Sequence, residues 1–273
     1  GMGPSPSSRS HPPRLDLGNA VHDGWTAFSR APAALIGVAL VVVLLWLLLV
    51  PLQQRLTPGG ALARQPLDLL LGSLGWIGIP LIYCWGSVRL VRGAREALLN
   101  RRPRFTRLLR WDGSALRHLF PAVLLLSALA LLVVLTMVLI VWLSLTLLNL
   151  LDAWAGAGPM DGLPLLVDLL VRLTTLALEG MLVLLLLYLM VNQQFMAPIA
   201  VFEGLGPLET LRRGCRVVDP QWILVLLLGL IQLTLFGVGV LTGGVGLFVA
   251  WPVMICISTA AYRQLFVSPS QSW

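Results

Sequence analysis

From Ala33 to Val50 the chain carries no charged side chain and no polar group except the indole of Trp46, and five further stretches are predominantly apolar. About 20 apolar residues in a helix cross a hydrocarbon core of about 30 Å. No soluble domain of this size has interior enough to hide several such runs. Only 11% of the residues are charged, where ordinary soluble domains have about 25%, and 58% are apolar. The chain therefore reads as an integral membrane protein. In lipid the backbone must satisfy its own hydrogen bonds, and the runs are too long for barrel strands, so they are helices. The predicted fold class is all-α, a polytopic bundle of six transmembrane helices. These lie near Ala33–Leu52, Leu69–Leu90, Phe120–Leu150, Leu176–Pro198, Trp222–Leu241 and Gly246–Ala261. Glycines and Pro80 interrupt the second, which predicts a kink there.

The basic residues set an orientation. All 19 are arginine, and 16 of them fall in the N-terminal tail, after spans two and four, or at the C-terminus. Arg55, Arg64 and Arg172 alone fall on the other side. Positive loops stay inside, so both termini are predicted to be cytoplasmic. Basic loops between apolar spans point to topology and anionic headgroups rather than to nucleic acid. The absence of Lys has two readings, a coding bias towards Arg or selection for forks that clamp phosphate bidentately. The candidate anionic-lipid contacts are Arg101, Arg102, Arg104, Arg107, Arg212, Arg213 and Arg216.

Each cytoplasmic segment also holds an amphipathic helix ahead of a span. In the first, Leu17, Ala20, Val21, Gly24, Trp25 and Phe28 share one face. The second, after Pro103, sets Phe105, Leu108 and Leu109 against arginines. In the third, Pro207 opens the helix, Leu208, Leu211, Cys215 and Val218 form the stripe, and Glu209 pairs with Arg213 at i+4. Three interfacial helices, each leading into a two-span hairpin, suggest an internal triplication. The domain reading is a Pro/Ser-rich disordered tail over 1–14, a membrane domain over 15–266 and a short tail over 267–273. The first segment lacks the apolar core of a cleavable signal peptide.

Chemistry is sparse. No zinc, nucleophile-elbow or phosphate-loop motif occurs, and the three cysteines have neither paired spacing nor His neighbours. No metal site and no cofactor are predicted. One polar face stands out: Asp168, Arg172, Thr175 and Glu179 fall within about 60° on a helix. Counting back from Pro198 puts Glu179 at the outer edge of the hydrocarbon and Arg172 beyond it. The face then reads as a ligand or partner surface, or as an Asp168–Arg172 pair on a helix extension in water.

Two stretches are more specific than any periodicity. One runs from Phe195 through Pro198, Glu203 and Pro207 to Arg216; the other runs from Gly244 through Pro252 to Tyr262 and Leu265. Together they resemble the C-terminal half of a group of bacterial six-span proteins that includes the glycerophosphoryl diester phosphodiesterase membrane-domain family. The resemblance implies a six-span bundle without the catalytic barrel of fused relatives, and it implies no catalytic residue. The family-motif positions are Pro198, Glu203, Pro207, Pro252 and Tyr262; Thr210 and Gly214 depart from the pattern. The function expected is non-enzymatic: a transporter-like, lipid-interacting or assembly-partner bundle, with anionic lipids and other membrane proteins as partners. The alternative is a membrane enzyme acting on lipid headgroups.

Overall fold

The computed structural model describes residues 14–56, 66–110, 113–155 and 163–267. Most of the expected N-terminal tail lies outside them. All regular structure among the described residues is helical: α1 (Leu17–Arg30), α2 (Pro32–Leu56), α3 (Pro66–Leu98), α4 (Phe105–Leu108), α5 (Gly113–Ala155), α6 (Leu163–Asn192), α7 (Met196–Phe202), α8 (Pro207–Val218), α9 (Trp222–Leu241) and α10 (Leu247–Phe266). Four stretches are long and apolar enough to cross a membrane: Pro32–Pro51, Gly113–Ala153, Leu165–Phe202 and Pro207–Leu241. Helix α10, which carries the sixth expected span, is not among them: Ser258, Thr259, Tyr262, Arg263 and Gln264 fall in its second half, where Ser258, Thr259 and Tyr262 are buried against protein.

The chain divides into two compact units, one of Gly1–Val123 with Asn192–Trp273 and the other of Leu124–Val191. In the larger, α10 is the central helix, with Val253, Cys256, Ile257, Ala260 and Ala261 all buried. Small residues draw its neighbours in. A Cβ on Gly24 of α1 would stand 2.6 Å from the Ile257 Cα, so only glycine lets the two backbones meet. On α3, Gly86 receives Val42 of α2 and Trp251 of α10. Gln232 of α9 donates from Nε2 to the Ser258 hydroxyl at 2.8 Å, an enclosed interhelical bond of the kind that membrane bundles use. Between α9 and α10, Gly243 and Gly244 turn the chain at φ 72° and 83°. Gly239 meanwhile admits Leu247 and Ala250 at close range.

The smaller unit holds the rest of α5 and nearly all of α6. Its surface is leucine and valine, with Leu131, Leu145, Leu176 and Leu184 each more than half exposed. The hydroxyls of Thr136, Thr146 and Thr174 donate to the carbonyls of Leu132, Trp142 and Leu170, so these polar side chains need no water. Such a surface suits hydrocarbon.

Several boundaries differ from the sequence reading, and three bear on the site. Helix α5 begins at Gly113 and continues past Pro121, which removes one backbone hydrogen bond from the helix interior. Helix α6 ends at Asn192, where a turn over Gln193–Phe195 separates it from α7. The second amphipathic helix shrinks to the single turn of α4.

Candidate functional site

The arginine-bearing end of the larger unit gathers the polar residues. Four arginines work inside the protein there. Arg30, in the last turn of α1, donates from Nη1 to the Ala97 carbonyl at 2.7 Å, capping the end of α3. Arg263 of α10 reaches Asp23 of α1 at 2.6 Å. The Arg95 guanidinium lies 5.3 Å from the centre of the Phe202 ring. Arg213 of α8 donates to Glu203 Oε2 at 3.2 Å and stacks over Phe266 at 5.5 Å.

Glu203 is the hub of this end. It follows α7 directly, and Gly204 at φ 61° turns the chain towards α8. Its second oxygen accepts from the Tyr262 hydroxyl at 3.0 Å. Tyr262 stacks on Phe266 with ring centres 4.7 Å apart and leans on Phe202 at 5.5 Å. Glu203 and Tyr262, two of the positions that the resemblance singled out, thus meet at one carboxylate. Pro198 is buried in α7, Pro207 opens α8 and Pro252 is buried within α10; these position backbone rather than join the network.

The expected Glu209–Arg213 pair gives way to Glu203–Arg213. The helix face explains it. Thr210, Leu211, Gly214 and Val218 are the buried side of α8, while Leu208 is 52% exposed. The stripe rotates away from Leu208 and Cys215 because small residues let α8 close on the end of α6. A Cβ on Gly214 would stand 2.7 Å from the Asn192 carbonyl oxygen. Helix α1 shows the same effect: Ala20, Gly24, Ala27 and Phe28 are buried and Trp25 is exposed.

Several other arginines are exposed. Arg101, Arg102, Arg104 and Arg107 are exposed along the segment after α3, and so are Arg212 and Arg216 on α8. The segment starts at a defined point. Asn100 takes φ 60°, Arg101 N–H bonds the Glu96 carbonyl at 2.9 Å and Asn100 N–H bonds the Ala97 carbonyl at 3.1 Å, a Schellman stop.

In the smaller unit the predicted polar face of α6 separates into parts. Arg172 pairs with Asp168 at 2.9 Å in an exposed i,i+4 contact. The Thr175 hydroxyl turns back to the Val171 carbonyl at 2.8 Å. Glu179 stands apart: its Oε1 is enclosed and has no hydrogen-bond partner among the described residues. Because α6 stops at Asn192 rather than Pro198, Glu179 lies about 20 Å along the axis from the helix end, within a single hydrocarbon thickness. The described residues contain no group of three or more His, Cys, Asp or Glu that could hold a metal. No family model, curated protein or solved structure matches this chain, and the grouping of its polar residues rests on their own geometry.

Proposed function

We propose that the chain is a non-enzymatic, six-span protein of a bacterial cytoplasmic membrane, related to the membrane-domain group named above, with both termini in the cytoplasm. Its arginine-bearing end holds anionic lipid of the inner leaflet. The order of elements supports the six spans: α1 precedes α2–α3, α4 precedes α5–α6 and α8 precedes α9–α10. That is three short helices, each leading into a pair of longer ones, as a triplicated hairpin requires. A reporter fused after Phe266 should behave as cytoplasmic and one inserted between Ala155 and Met160 as external; the reverse would overturn the orientation.

One observation carries the lipid reading. Arg30, Arg95, Arg213 and Arg263 are engaged within the bundle, whereas Arg101, Arg102, Arg104 and Arg107 are exposed on one short segment. Arginines near an anionic surface each contribute about 1 kcal/mol of attraction. Replacing these four with Gln should lower the anionic lipid that co-purifies with the protein several-fold, read by lipid mass spectrometry. Unchanged retention would reduce the four to topology signals. Conversion of a headgroup during the same assay would instead favour a membrane enzyme.

A further inference from the structure

Behind the exposed segment lies a more defined feature. Arg89, Arg92 and Glu96 of α3, Arg107 of α4, Arg110 and Ser114 line a cleft of about 430 Å³. Packing builds it. Two glycines seat α4: Gly37 of α2 lies under the Phe105 ring, and Gly93 of α3 lies between Leu35 and Leu108. Leu108 is 3% exposed, so α4 is anchored through its apolar side, and its Arg107 lines the cleft together with the arginines of α3. Arg89 is 4% exposed, yet it faces this cleft among three other arginines. Burying a guanidinium beside like charges is unfavourable unless anionic groups offset it. Glu96 supplies one negative charge. Asp112, outside the described residues, brings at most one more. The arginines stay in excess by about two charges.

We propose that this cleft is a binding site for a phosphate-bearing anion, either a lipid phosphomonoester headgroup or a soluble phosphate. Arginine forks bind phosphate oxygens bidentately, and a hydroxyl such as Ser114 adds a donor of the opposite shape. The volume exceeds that of a bare phosphate and leaves room for the group that bears it. This goes beyond the lipid reading above, which needs only charge near a surface; a cleft binds one anion with a stoichiometry.

The test uses the full chain in a phosphate-free sugar detergent. Thermal melting is followed against inorganic phosphate and against dioleoyl phosphatidic acid, with dioleoyl phosphatidylcholine as the blank. Saturable stabilisation is expected. Arg92→Gln with Arg110→Gln, both at exposed positions that folding tolerates, should raise the half-saturating concentration about a hundredfold, about tenfold for each lost charged donor. Arg101→Gln with Arg102→Gln, outside the cleft, should leave it unchanged. Saturation by phosphatidic acid alone assigns the anion to lipid, and saturation by inorganic phosphate as well assigns it to phosphate itself. Saturation by neither overturns the proposal, and so does an equal loss in both double variants. Total anionic lipid in the same samples is read separately, so diffuse lipid retention can fail while the cleft still binds, or persist while it does not.

Discussion

Gly24→Leu is expected to displace α1 from α10 and to lower the midpoint of thermal or denaturant unfolding in detergent. The physical reason is contact between backbones. The position a Cβ would take is 2.6 Å from both Cα and Cγ1 of Ile257 and 2.8 Å from its amide nitrogen. A flexible side chain could swing away, but the α10 backbone at Ile257 cannot move without disturbing the centre of the unit. Overpacking in a core costs about 1–3 kcal/mol, and a backbone clash belongs at the upper end. Even Gly24→Ala should destabilise. Gly237 of α9 provides the contrast, since a Cβ there meets nothing within 4 Å. Gly237→Ala should be neutral or stabilise slightly, because alanine is the better helix former. If Gly24→Leu melts with the parent protein, close approach of α1 and α10 is not what holds this end together.

The same glycine shows what could be read from the sequence and what could not. Gly24 falls on the predicted inner face of the first amphipathic helix, but periodicity gives a face and not a partner. That partner is 233 positions away at Ile257, and only the fold brings the two together. Amphipathic stripes were legible to within a rotation of one position in the turn. The error had one cause in both α1 and α8: bulk apolar residues, Trp25 and Leu208, mark the predicted face, while the packed face belongs to Ala, Gly and Thr, which allow close approach. Apolar length likewise marks the span carried by α10, but not that Val253, Cys256, Ile257, Ala260 and Ala261 on it are all buried against protein. Arginine counting yields an expectation about sidedness and is silent about role. It could not separate Arg213, engaged with Glu203 and Phe266, from Arg212 and Arg216, which are exposed on the same helix. Pro198 looked like the end of a span, but the helix breaks six residues earlier, where Gln193 and Gln194 turn the chain before α7.

Glu203→Ala should be the most damaging substitution among the polar positions, because one carboxylate ties three elements together. Its oxygens accept from Arg213 of α8 at 3.2 Å and from Tyr262 of α10 at 3.0 Å, while its backbone ends α7. Removing it leaves a guanidinium and a phenol without their acceptor. The Arg213 and Glu203 side chains are 35% and 23% exposed, so water can replace part of what is lost. A hydrogen bond to a charged group contributes about 1.5–3 kcal/mol before that discount, and about 2 kcal/mol is expected here. Tyr262→Phe removes one arm alone and leaves the ring stacked on Phe266, so about 1 kcal/mol should be lost. Arg213→Met removes the other arm and the charge over the Phe266 ring. Because both arms share one acceptor, the pair Tyr262→Phe and Arg213→Met should be coupled, departing from additivity by about 0.5 kcal/mol or more in a double-mutant cycle. Strict additivity, or a Glu203→Ala protein as stable as its parent, would mean that the carboxylate is a bystander and that aromatic stacking alone joins α7, α8 and α10.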